Sequence, residues 1–163
     1  MTKNILILCT GNSCRSILAE AILERYGEPR FQTYSAGSQP NGAVNLNAIA
    51  LLKKRGYKTE HFRSKSWDEF TMSTAPQLDI VITVCGNAAS ETCPVWIGAP
   101  IQTHWGIDDP AHATGNDAEI QAAFQIAYDR LNQRITAFLE LPVETLTTSQ
   151  LKQALDKIGR EGN

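Results

Sequence analysis

After its first residue, the segment Asn4-Ile-Leu-Ile-Leu8 is apolar at every position, and it stops at Cys9-Thr-Gly-Asn-Ser13. A run that short and continuous suits a strand buried on both faces rather than an alternating surface strand. Behind it, Ile17, Leu18, Ala21 and Ile22 recur at helical spacing between Ser16 and Tyr26, and Gly27 closes the segment. Strand, tight loop and helix therefore follow one another from the start. A strand buried on both faces needs cover above and below, which commits the chain to an α/β design.

The alternation continues. Residues 31–35 predict a second short strand before a turn region at 37–42, and residues 45–55, with Ala48, Ile49, Leu51 and Leu52, predict a helix closed by Gly56. Residues 67–72 predict a short helix. The β-branched run at 80–84 predicts a buried strand ending directly at Cys85, and 101–105 a weaker fourth strand. From Asp117 to Phe138, Ile120, Phe124, Ala127, Leu131 and Ile135 keep a period between three and four, which predicts one long amphipathic helix ended by Pro142. A further helix is expected over 149–158, capped by Ser149. The expected fold is a three-layer α/β sandwich with a central, mainly parallel, four-stranded sheet flanked by helices. Residues 1–140 would form the domain and 141–163 a C-terminal tail. Active sites of such sheets lie beyond the carboxyl ends of the strands, so Cys9 and Cys85 can share one crevice.

With 163 residues, 42% of them hydrophobic, the chain can bury one sizeable core. A formal net charge of -2 provides no broad basic field for nucleic acid or an anionic membrane, so any bound anion must be held locally. No apolar stretch has the length of a signal peptide core or a membrane span, and a cytoplasmic protein is expected. The four cysteines are then free or reactive thiols rather than disulfide staples.

Chemistry concentrates in Cys9-Thr-Gly-Asn-Ser-Cys-Arg15-Ser16, a cysteine at a strand end and an arginine at a helix start. Gly11 and Asn12 tolerate the left-handed backbone that turns successive N–H groups inward, and the helix end adds partial positive charge. Thr10, Gly11, Asn12, Ser13, Cys14, Arg15 and Ser16 form the candidate oxyanion loop. Arg15 can grip two oxygens at once, and the positive surroundings are expected to depress the Cys9 thiol pKa. A structural reading of Cys85, as a small buried hydrophobe at a strand end, stays open beside a reactive one.

The stretch from Ile5 to Ser16, followed by Ala19-Glu-Ala21, closely resembles the phosphate-binding loop of the low-molecular-weight tyrosine phosphatases and of the arsenate reductases derived from them. Tyr34-Ser-Ala-Gly37 and His104-Trp-Gly-Ile-Asp108-Asp-Pro110 are similar to the same superfamily in order and spacing. The resemblance implies Cys9 as nucleophile and Asp109 as the acid that protonates the leaving oxygen, with Asp108 as the fallback. The phosphatases usually follow Asp-Pro with tyrosine, where this chain has Ala111, and the chain adds a second thiol pair, Cys85 and Cys93. Those thiols fit arsenate reduction, which needs two electrons. The resemblance then implies an arsenic adduct on Cys9, displaced by Cys85, with Cys93 carrying the oxidation outward through a segment that must move. Cys14 is expected to be nonessential, as a packing residue or a protective partner of Cys9.

Ser64-Lys-Ser-Trp-Asp-Glu-Phe70 and Cys93-Pro-Val-Trp96 resemble the branch that uses glutathione and glutaredoxin more than the branch that uses thioredoxin. The implied partners are arsenate, with phosphate and sulfate as competing oxyanions, and one of those thiol donors as co-substrate, with no bound cofactor. Two other readings stand beside this one: a tyrosine phosphatase, and a non-catalytic oxyanion or thiol sensor. A zinc site is disfavoured because His61, His104 and His112 make no closed ligand spacing with the cysteines.

Overall fold

A computed structural model describes residues 2–86, 94 and 96–161. Strand β1 (Lys3–Cys9) leads through the loop into helix α1 (Arg15–Gly27), and β2 (Phe31–Gly37) is followed by α2 (Leu46–Lys54). Next come a 3₁₀ turn (Trp67–Phe70), β3 (Ile80–Thr83), β4 (Ile101–His104), a second 3₁₀ turn (Pro110–His112), α3 (Asp117–Leu139) and α4 (Thr148–Arg160). The strands form one parallel sheet in the order β2-β1-β3-β4. The expected α/β architecture and its four-stranded sheet are therefore present.

Central β1 explains its own sequence, because Ile5, Leu6, Ile7 and Leu8 have almost no exposed surface on either side of the sheet. Ile5 and Ile7 face the main core, with Ile17, Leu18 and Ile22 of α1, Phe124, Leu131 and Phe138 of α3, and Leu155 of α4. Leu6 and Leu8 face a smaller cluster with Ala36, Phe70, Leu78, Val81 and Trp96. β2 runs past the expected Ser35 because Ala36 and Gly37 stay in register with Leu8 and Cys9.

Helix starts differ in a way that matters for the site. Asn45 caps α2 through the N–H groups of Asn47 and Ala48, and Asn116 and Glu119 close a capping box on α3. The tail helix is capped by Thr147 and Gln150, not by the expected Ser149, because threonine followed by glutamine three positions on completes a reciprocal box. Helix α1 has no side-chain cap at Cys14, which leaves its first N–H groups for the loop before it.

The tail helix lies along edge strand β4. Trp105 Nε1 donates to the Leu155 carbonyl at 3.0 Å, Thr103 Oγ1 to Asp156 at 2.7 Å, and Lys152 Nζ to the Gln102 carbonyl at 2.6 Å. Such cover blunts an edge that would otherwise offer unpaired backbone groups. Among the described residues, no helix is long and apolar enough to cross a membrane.

Candidate active site

The loop after β1 is shaped from outside. The carbonyl of Thr10 accepts from Gln39 N, that of Gly11 from Asn41 N and Ser64 Oγ, and that of Ser13 from Asn45 N, all at 2.9–3.0 Å. A planar trans peptide points its N–H opposite to its carbonyl, so outward carbonyls turn the N–H groups of Gly11, Asn12 and Cys14 inward. The inward face is a nest of donors continued by the uncapped start of α1.

Asn12 holds that shape. It is completely buried with φ of 45°, and its Nδ2 donates to Ser16 Oγ at 2.8 Å and to Ser35 Oγ at 3.0 Å. Its Oδ1 accepts from Lys65 N at 2.9 Å. Ser35 Oγ in turn donates to the buried Glu20 carboxyl at 2.6 Å. Burial, opposed by nearby Lys65 and by the Ser35 hydroxyl, pushes the Glu20 pKa above the usual carboxylate value. Gly37 makes room for the loop, since a Cβ there would lie 2.4 Å from the Thr10 carbonyl oxygen. Ser13 Oγ turns away to the Ala43 carbonyl, so Ser13 offers the site backbone rather than hydroxyl.

Cys9, Cys14 and Cys85 are all buried. Cys85, two residues past β3, lies close enough to Cys9 to raise its pKa, and its Sγ is 3.5 Å from Thr10 Oγ1. The parallel pairing of β1 with β3 thus brings Cys9, the last residue of β1, beside the segment after β3 that carries Cys85. The expectation of a depressed Cys9 pKa is corrected. The Cys85 thiol against it and its burial push Cys9 upward, and these outweigh the downward pull of Arg15 and the Gly11 N–H. Cys14 is pushed up to about 12, by burial first and the Asp109 charge second, against the pull of Arg15.

Arg15 reaches across to the loop after β4. Its Nη1 donates to the Ile107 carbonyl at 3.0 Å, its Nη2 lies 3.3 Å from Asp109 Oδ2, and its buried Nε has no hydrogen-bond partner among the described residues. Asp109 Oδ1 accepts from Ala111 N at 2.9 Å and so caps the short turn. Asp108 points outward, fully exposed, with Arg130 3.8 Å away. Geometry therefore places Asp109, not Asp108, beside the loop. Arg134, buried in α3, supports the root of the loop after β4 by donating to the Gly106 carbonyl at 2.9 Å.

Cys93 lies outside the described residues. The histidines scatter: His61 pairs with Glu24 at 2.8 Å, His104 with Thr83 at 2.7 Å, and His112 stands 3.6 Å from Asp109 Oδ2. Among the described residues, no cluster of three or more histidine, cysteine or acidic side chains could hold a metal. Sequence reasoning missed Glu20, Ser35, Lys65, Arg134 and the placement of His112. The one local signal was an acidic residue between alanines on the apolar part of α1.

Residues 4–155 match the family model described as low molecular weight phosphotyrosine protein phosphatase. A protein of Halalkalibacterium halodurans named arsenate reductase is 40% identical over 138 residues, which is 85% of this chain and 96% of that protein. Among solved structures, an arsenate reductase in the phosphate binding state superposes with a TM-score of 0.68 at 24% identity, covering 85% of this chain and 97% of that one. The tyrosine phosphatase Wzb from Escherichia coli K30, in complex with sulphate, gives a TM-score of 0.66 at 26% identity, covering 86% and 98%.

Proposed function

The chain belongs to the low molecular weight phosphotyrosine protein phosphatase family, and we propose that within it this protein reduces arsenate to arsenite. The observation that carries this reading is the position of Cys85, whose thiol lies 3.5 Å from Thr10 Oγ1 and close enough to Cys9 to raise its pKa. Hydrolysis of a phosphoester uses one thiol, whereas reduction uses two, and a second stands beside the first.

In the proposed reaction, arsenate enters the loop and takes Arg15 away from Asp109. The orphaned Arg15 Nε supports this, as a donor still without an acceptor beside the nest of N–H groups. Cys9 passes its proton to an oxygen of the arsenate dianion and attacks arsenic, while Asp109 protonates the oxygen that departs as water. Cys85, as thiolate, then attacks Cys9 Sγ. A disulfide forms, the sulfur–arsenic bond breaks, and its electron pair stays on arsenic, so two thiols are oxidised as arsenic goes from the +5 to the +3 state. Attack by Cys93 on Cys85 would free Cys9 and carry the disulfide outward.

The regenerating donor is proposed as glutathione with glutaredoxin, on the resemblance of residues 64–70 and 93–96, with thioredoxin as the competing donor. Phosphate and sulfate would compete for the same loop, no prosthetic group enters, and the reaction would run in the cytoplasm, where thiols stay reduced. The test follows arsenate-dependent NADPH oxidation with glutathione, glutaredoxin and glutathione reductase, and separately with thioredoxin and its reductase. Turnover in one mixture, abolished in Cys9→Ser, is expected. No turnover in either, with aryl phosphate hydrolysis retained, would replace this reading with a phosphatase.

A further inference from the structure

Asp109 Oδ2 has two nitrogen neighbours on opposite sides, a guanidinium and an imidazole. Arg15 Nη2 is 3.3 Å away, in the part-buried floor of the site, and His112 Nε2 is 3.6 Å away on the solvent side, with its side chain 85% exposed. Asp109 Oδ1 is fixed by Ala111 N, and the turn Pro110–His112 sets the imidazole three positions beyond the carboxyl group. The oxygen that must carry a proton is therefore the one shared by both.

We infer that His112 is the relay through which Asp109 regains its proton from solvent in each turnover, an inference that rests on the acid role proposed above. Arg15 cannot recharge Asp109, because a guanidinium stays protonated and is itself needed by the oxyanion. An imidazole can hold and pass a proton near neutral pH. When Asp109 has given its proton to the departing oxygen, its carboxylate takes one from the His112 imidazolium, and the neutral ring takes one from water. Proton count balances, and no electron moves.

The charges around this pair are few and can be named. Asp108 shares the loop but points outward, Arg130 of α3 faces Asp108 at 3.8 Å, and Arg15 of α1 faces Asp109. Cys14 lies near enough for the Asp109 charge to raise its pKa. Of these side chains and His112, only Arg15 and His112 reach Asp109 Oδ2, at 3.3 and 3.6 Å, and of those two only the imidazole has a ring nitrogen that can both take and give a proton.

The experiment compares wild type, His112→Ala and His112→Gln with the thiol donor saturating, over a pH series, with and without added imidazole. Turnover of both variants should fall about tenfold at about pH 8, a fraction of the usual worth of acid–base catalysis, with KM for arsenate unchanged. The loss should shrink toward acid pH and be reversed in His112→Ala by imidazole. In an Asp109→Asn background, His112→Ala should add nothing. Wild-type turnover at every pH in both variants, or a loss that imidazole leaves alone and that appears as raised KM, would overturn the relay. Absence of arsenate turnover in the wild type would instead sink the reaction itself. The relay would then be read from hydrolysis of phenyl phosphate, whose poor leaving group also needs Asp109.

Discussion

The two loops that meet at the carboxyl ends of the strands are held by opposite means. The anion loop is fixed by backbone carbonyls bonded from outside and by Asn12, whose partners are hydroxyls and a backbone N–H. The acid loop is anchored at its root by Trp105 N to the Thr83 carbonyl at 2.7 Å and by Arg134 to Gly106, but its tip is tied by Arg15 to Asp109. Arg15 is the group an oxyanion would claim. One loop is thus held by backbone and amide bonds, whereas the other is held by a charge that a bound anion would claim. In the proposed reaction, binding and acid chemistry would be coupled through that single guanidinium.

Replacing Gly37 with alanine should break the first loop most severely. The added Cβ would meet the Thr10 carbonyl at 2.4 Å and Asn12 N at 3.0 Å, both backbone atoms. We expect a loss of about 3 kcal/mol in urea unfolding together with loss of phosphate binding by calorimetry. Normal binding would show that the loop can shift at little cost.

Asp109→Asn tests the second loop. Asparagine can keep the bond from Ala111 N, but it neither pairs ionically with Arg15 nor serves as an acid. Turnover should fall about a hundredfold. Phosphate should bind several-fold more tightly, because a part-buried ion pair worth on the order of 1 kcal/mol no longer competes for Arg15. Weaker phosphate binding would mean that Asp109 positions Arg15 for the anion instead of holding it back.

The contrast between the loops also marks what could be read in the chain. The strand, loop and helix from Lys3 to Gly27 were legible because each signal is local: an apolar run, a cysteine-to-arginine spacing and a helical period. The acid loop was legible only by resemblance, and the choice between Asp108 and Asp109 needed their directions in space. The Cys9 pKa was misjudged because its dominant neighbour arrives from the far end of another strand. Glu20, Ser35 and Lys65 support the loop by hydrogen bonds and charges between separate elements, and no local pattern announces those. The cap at Thr147 was in reach, since the box motif was there to be seen.

Glu20 gives the finest test of whether the first loop's support is uncharged. Its carboxyl is raised above its ordinary value of 4.5 by burial, so the folded protein holds this proton more tightly than the unfolded chain does. Its contribution to stability is therefore full below pH 4.5 and is lost as pH rises through the folded-state pKa. Glu20→Gln keeps an oxygen for the Ser35 hydroxyl and cannot ionise. Measured by urea unfolding at about pH 5 and about pH 8, the variant should gain on wild type as pH increases. This effect should be smaller than the previous two. The opposite trend would mean that attraction to Lys65 outweighs burial, and that the anion loop, like the acid loop, rests on a charge.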